Sequence, residues 1–171
     1  VLGFHPYDRF DNVLQVDECF LQAEPSRKIA NVAKEIAVKM NIPFYNQRDG
    51  SGVIRSITIR TAGTGEVMII VGFTANRIDL REPFLQNLQE SLPEITSIYY
   101  CQLDSYRSSY ATRELIHFYG ATYLYESLNG YIFRLSPKAF FQPNREQAEA
   151  IYQTMASIAD FTSNDLVYDL Y

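Results

Sequence analysis

The sequence lacks most of the features that would reveal a chemistry directly. It has no apolar run approaching the roughly 20 residues that span a bilayer, and its first residues form no basic stretch followed by a small-residue cleavage site. A soluble, cytoplasmic chain without a membrane partner is expected. Cysteine is scarce: Cys19 and Cys101 are the two in 171 residues. They lie far apart with no secretion signal, so a reducing compartment fits better than a disulfide framework. Positive charge is in deficit, with 15 lysines and arginines against 20 aspartates and glutamates and a net charge of -5. The chain therefore has no overall basic footprint for nucleic acid, and any phosphate contacts need a local cluster or a neighbouring domain. Walker loop, Gly-x-Gly-x-x-Gly, His-Glu-x-x-His and nucleophile elbow are all missing. His5 and His117 stand isolated and read as packing or surface residues. Internal repeats and low-complexity tracts are absent too.

What remains is an ordinary globular pattern. With 47% hydrophobic residues, a chain of this length can bury roughly 70% of its unfolded surface around one core. From Pro25 to Met40, Ile29, Val32, Ala33, Ile36, Ala37 and Met40 recur at helical spacing, while Arg27, Lys28, Lys34, Glu35 and Lys39 avoid that stripe. Two β-rich runs follow, Gly52 to Thr61 and Glu66 to Thr74, joined by Ala62-Gly-Thr-Gly65. Together they predict a hairpin. Ile57 and Ile59 share a face with Arg55 and Thr61; Val67, Ile69, Val71 and Phe73 share a face of the partner strand, and one face of the sheet should be core. A second helix is expected from Leu80 to Leu92, stopped by Pro93. Ile95 to Leu103 reads as a strand, Asp104 to Thr112 as a polar turn region, and Tyr123 to Leu135 as a hairpin about Asn129-Gly130. The pattern predicts an α+β domain, a mostly antiparallel sheet with flanking helices.

Near Ser136 the pattern changes. Asn144 can cap a helix, with Gln147 placed to complete a capping box, and Ala148, Ile151, Tyr152, Met155, Ile158 and Ala159 form an apolar stripe. The short apolar run from Asp165 to Tyr171 then reads as a strand. A helix followed by such a strand is how a parallel α/β sheet begins. The expected division is 1–135 as the α+β domain and 136–171 as the truncated start of an α/β domain. Nucleotide-type ligands in such sheets sit over the loop after the first strand, which would follow Tyr171.

Five motifs then carry a resemblance. They are Leu2-Gly-Phe-His5, Val16-Asp-Glu-Cys19, Gly52-Val-Ile-Arg-Ser-Ile-Thr-Ile-Arg60 leading into Thr64-Gly-Glu-Val-Met68, Ser136-Pro-Lys-Ala-Phe-Phe-Gln-Pro-Asn144, and Val167-Tyr-Asp-Leu-Tyr171. Together, and in this order, they resemble the RNA (uracil-5-)-methyltransferase family, most closely the 23S rRNA enzymes. The resemblance covers nearly the whole chain and implies a central-domain fragment of an S-adenosylmethionine (SAM)-dependent enzyme that methylates uridine C5. It also implies an α+β RNA-binding domain over 1–135 and the start of the SAM-binding methyltransferase domain over 136–171.

The resemblance also assigns residues. Gln142 matches a glutamine that contacts SAM, and its side-chain amide, with donors and an acceptor, suits the mixed polar groups of that cofactor; on spacing alone it merely ends a loop. Phe140 matches an aromatic at the target-base pocket, where stacking an extruded base is worth about 1 to 3 kcal/mol; the alternative is core packing. Cys19 matches the last of four cysteines that hold a 4Fe-4S cluster in many members, with the other three expected upstream of Val1; alone it is a small buried thiol. Cys101 reads as core. Family catalysis implies a cysteine thiolate adding to uracil C6, transfer of the SAM methyl group to C5, and a base removing the C5 proton. Nucleophile and base would both follow Tyr171, so no catalytic residue is expected here and the fragment alone should be inactive. Arg55, Arg60, Arg107, Arg113, Lys138 and Arg145 are candidate phosphate contacts. A monomer acting on RNA is expected, with 23S rRNA favoured over tRNA. The alternatives are a tRNA uridine methyltransferase, a non-catalytic RNA-binding module, or a SAM-dependent enzyme of another substrate.

Overall fold

The protein, seen as a computed structural model, is described over residues 2–9, 12–16, 19–20, 22, 24–74, 77–104 and 109–168. Arg107, Asp17 and Glu18 of the Val16 to Cys19 motif, and Asp169 to Tyr171 lie outside the described residues.

The first amphipathic period becomes helix α1, Ser26–Lys39, which buries Ile29, Ala33, Ile36 and Ala37. Strands β1, Ile54–Thr61, and β2, Val67–Phe73, form the expected antiparallel hairpin, with Ile57 opposite Val71 and Ile59 opposite Ile69. Helix α2, Ile78–Ser91, presents Phe84, Leu85 and Leu88 to the core and ends just before Pro93, as its sequence predicts. Strand β3, Ser97–Gln102, follows, then a 3-10 turn at Tyr110–Thr112 and strand β4, Ile116–Gly120. The four strands form one sheet in the order β1-β2-β3-β4. Strands β5, Leu124–Leu128, and β6, Tyr131–Leu135, make a separate two-stranded sheet, turned at Asn129 and Gly130 with φ of 47° and 81°. Positive φ at both central residues is what a tight primed turn requires. Helix α3, Arg145–Ala159, closes the series.

Four features differ from expectation. β2 and β3 pair in parallel, with α2 as the crossover between them; periodicity identifies each strand but does not select its neighbour. β4 was not anticipated. It is an edge strand whose Ile116, His117 and Tyr119 remain exposed, so it lacks a clear buried alternation. The run from Asp165 to Tyr168 forms no strand, with Leu166 and Tyr168 exposed at 77% and 74%. A strand needs a neighbour to take its backbone N–H and C=O groups, and no described strand pairs with this one.

Both faces of β2 are buried, where the alternating pattern led us to expect a single core face. On one side, Val67, Ile69, Val71 and Phe73 join α1, α2 and Ile98 in the main core. On the other, Met68 and Ile70 pack with Tyr99, Leu124 and Leu135, so the β5–β6 sheet covers the opposite face. The stripe on α3 is real but buries only Ala148; Ile151, Met155 and Ile158 stand 56%, 58% and 80% exposed. Among the described residues no helix is long and apolar enough to cross a membrane.

Candidate functional site

The segment between β6 and α3 is fixed from below and open above. Ser136 and Pro137 are half-buried, and the Ala139 amide closes a turn onto the Ser136 carbonyl at 3.0 Å. Ala139 and Phe141 pack against the cluster of Met68, Ile70, Tyr99, Leu124 and Leu135. Phe141 also meets Phe133, ring centroids 5.7 Å apart. Phe140 is thereby turned outward and is 81% exposed, which removes core packing as its role. Gln142 is likewise exposed. Asn144 caps α3, its side-chain oxygen accepting from the Gln147 amide at 3.0 Å. The sequence predicts this cap, and it places the segment at a helix N-terminus.

Both ends of the segment are tied to the β1–β2 hairpin. Arg60 Nη1 donates to the carbonyls of Ser136 and Pro137 at 3.2 and 2.9 Å. Alternation along β1 sends Ile57 and Ile59 to the main core and Arg60, opposite Met68, to the other face, where the segment lies. Burial pushes the Arg60 guanidinium below its usual range, with Tyr110 partly opposing. At the far end, Arg145 Nη1 lies 4.0 Å from the buried carboxylate of Glu126. Glu126 accepts from the Gly63 amide with both oxygens, at 3.0 and 2.9 Å, and from the Ser127 amide at 2.9 Å. Glu66 returns the link, accepting from the Tyr125 amide at 2.6 Å. Glu126 and Gly63 were missed in the sequence. The available signal was a glutamate at the inward phase of β5, between Leu124 and Leu128, where an apolar side chain is expected.

The candidate phosphate contacts separate into two places. Lys138 and Arg113 both come near Cys101, partly offsetting the burial that raises its thiol pKa, and Arg60 and Arg145 lie at the two ends of the same segment. Arg113 pairs with Asp104. Arg55 stands elsewhere, at the start of β1, its guanidinium 5.0 Å from the centre of the Tyr45 ring. His5 donates from Nδ1 to the Asn12 carbonyl at 2.8 Å, and the His117 ring lies 4.9 Å from that of Tyr99. Both match the ordinary roles expected. Cys101 is buried, as read. Cys19 is half-buried beside a pocket of about 130 Å³ that Arg27, Asn31, Lys34, Ile57 and Ile59 also line. Among the described residues no three histidine, cysteine or acidic side chains converge as metal ligands. An iron–sulfur cluster usually takes four thiolates, so the described residues do not by themselves fit one.

No family model matches the chain. It is 35% identical, over 99% of its length, to an uncharacterized RNA methyltransferase of Bacteroides thetaiotaomicron, and 34% identical, also over 99%, to one of Porphyromonas gingivalis. The chain is similar throughout to part of the bacterial RNA methyltransferases. It spans 38% and 37% of the lengths of those two relatives. A solved structure with the same fold is the tRNA (uracil-54, C5)-methyltransferase of Pyrococcus abyssi in complex with S-adenosyl-L-homocysteine, at a TM-score of 0.72 and 21% identity. That likeness covers 91% of this chain and 37% of the archaeal one. The mixed α+β architecture is therefore shared with a segment of that archaeal structure.

Proposed function

We propose that the chain is the central part of a SAM-dependent RNA (uracil-5-)-methyltransferase, with residues 1–135 forming the RNA-binding domain and 136–171 opening the SAM-binding domain. The observation that carries this reading is similarity along 99% of the chain to proteins named RNA methyltransferases. The archaeal structure, a uracil C5 enzyme holding the demethylated cofactor, supports both the target atom and SAM. The exposed stripe of α3 supports the domain division, since Ile151, Met155 and Ile158 form the kind of face that a following α/β sheet covers.

In this reading SAM supplies the methyl group, and Gln142 contributes one edge of its site. The Gln142 amide is exposed on an anchored segment, so its donors and acceptor are available. Phe140 offers an open aromatic face to a base taken out of its stack. Of the six candidate phosphate contacts, Lys138, Arg113, Arg55 and Arg107 are kept; Arg60, engaged with the Ser136 and Pro137 carbonyls, and Arg145, beside Glu126, are not. Cys19 supplies one thiolate of any cluster in the complete protein. The nucleophile and base belong to the later domain, so the 171 residues alone are inactive.

The substrate is 23S rRNA on the strength of the Val16 to Cys19 match; the archaeal neighbour favours tRNA as the second reading. Incubating the complete gene product with methyl-labelled SAM and, separately, rRNA and tRNA lacking the modification tests both. Label at uridine C5 of rRNA is expected. Label on tRNA alone selects the second reading, and no label on either RNA rejects the proposal.

A further inference from the structure

The β1–β2 hairpin holds the Ser136 to Asn144 segment at two points, and the chemistry of those points is unusual for surface arginines. A cation that binds phosphate keeps its donors in water and meets the ligand there. Arg60 instead is half-buried, and its Nη1 is spent on two carbonyls of its own chain, 76 and 77 residues away. It forms no ion pair among the described residues, and partial burial lowers its pKa while Nη1 is engaged by the two carbonyls. Hydrogen bonds from a charged donor are roughly twice as strong as those from a neutral one. That suffices to hold a loop whose own backbone makes a single turn bond, Ala139 to Ser136.

The second point is built around an absent side chain. A Cβ on Gly63 would come within 2.5 Å of Arg145 Nη1 and 2.8 Å of Glu126 Oε1. The glycine lets Glu126 reach its amide and lets Arg145, the first residue of α3, lie over the hairpin loop. Phe140 and Gln142 lie between the two points.

We propose that Arg60, with Glu126, Gly63 and Arg145 at the far end, is a positioning residue: it holds the Ser136 to Asn144 segment so that Phe140 and Gln142 face base and cofactor, and it does not contact RNA phosphate. This rests on the reading of Phe140 and Gln142 given above. The clamp itself is independent of that reading, and two measurements on the complete gene product separate them.

The first is amide hydrogen exchange without SAM or RNA, comparing the unmodified protein with Arg60→Met and Arg60→Lys. Arg60→Met is expected to speed exchange at the Ala139 amide by about tenfold, as the charge-assisted bonds to the Ser136 and Pro137 carbonyls are lost. Amides within β2 stay unchanged, and Arg60→Lys recovers part of the protection. Unaltered exchange at Ala139 overturns the clamp, whatever the enzyme does. The second is steady-state methyl transfer with RNA binding over a range of salt. Arg60→Met is expected to raise the KM for SAM by about tenfold or more, with the salt slope of RNA binding as in the unmodified protein. A salt slope smaller by about one would make Arg60 a phosphate contact and overturn the assignment. An unmodified protein that methylates no RNA defeats the functional reading, while the exchange result still decides the clamp.

Discussion

Glu126 and Gly63 join the two sheets: both carboxylate oxygens of the buried glutamate accept from the glycine amide, at 3.0 and 2.9 Å. Among the described residues the four-stranded sheet and the β5–β6 hairpin share no strand pairing, so this contact, its Glu66 to Tyr125 counterpart and the Met68, Ile70 and Leu124 cluster fix one against the other. Glu126→Ala removes the acceptor for the Gly63 and Ser127 amides and should lower stability by about 1 to 3 kcal/mol. Urea unfolding of the 171-residue chain measures it. A loss under about 0.5 kcal/mol would mean water replaces the carboxylate at little cost.

Adjacent phenylalanines should respond in opposite ways. Phe140→Ala changes stability by less than about 0.5 kcal/mol, because the ring is 81% exposed. Phe141→Ala loses its packing on Phe133 and the Met68 cluster, and should cost about half of the roughly 3 to 5 kcal/mol typical of a fully buried ring. In the complete gene product Phe140→Ala should still reduce methyl transfer severalfold if the ring supports the target base. Thermal melts and a transfer assay on the same two variants separate the effects; equal destabilisation by both would contradict the outward placement of Phe140.

The main core offers a reference point. Phe73 is buried and meets Phe84 and Tyr100 edge-on, with ring centroids 6.2 and 6.4 Å away. Phe73→Ala should cost about 3 to 5 kcal/mol, more than any change proposed for the 136–144 segment. Chemical denaturation tests the ranking.

Cys101 gives the alkaline limb of stability a specific contributor. Burial raises its thiol above the ordinary 9.0, against the opposing pull of Lys138 and Arg113. The folded state therefore holds the proton more tightly than the unfolded chain. Its contribution is complete below pH 9.0 and declines as pH rises through the raised value. Lys138→Met should raise the native pKa further. Native-state alkylation at pH 8 is expected to modify Cys19 first, with Cys101 protected until unfolding; rapid labelling of Cys101 in the folded chain would refute its burial.

On the acid side, the ammonium of Lys28 donates to Glu94 at 2.7 Å, linking α1 to the loop before β3 and holding the carboxyl below its ordinary 4.5. The pair contributes above pH 4.5 and loses that contribution as pH falls through the depressed value. Lys28→Met should cost under about 1 kcal/mol at pH 7, since the lysine is largely exposed. The difference from the unmodified chain should shrink below pH 4.5. Stability curves at pH 7 and 3 check the sign.

Helix α1 and the two hairpins were legible because their signals are local. Ile29, Ala33, Ile36 and Ala37 mark one face within four turns, and Asn129-Gly130 marks a turn by its own backbone preference. The Asn144 cap was legible for the same reason, since it bonds an amide three residues away. β4 was not, because an exposed edge strand has little alternation to read.

The candidate site divides along the same line. The Ser136 to Asn144 residues are contiguous, so their motif and the helix after them could be found in one dimension. Local spacing also determined the hairpins, the helices and the pairing of core positions within each element. Only the tertiary structure decided that β2 lies parallel to β3 with both faces covered, that Phe141 goes inward and Phe140 outward, and that Arg60 ends beneath carbonyls 76 and 77 residues later. Spacing describes which side chains share a face. Which distant backbone arrives at that face depends on how the elements close around one core, and that information is held by no short stretch of the chain.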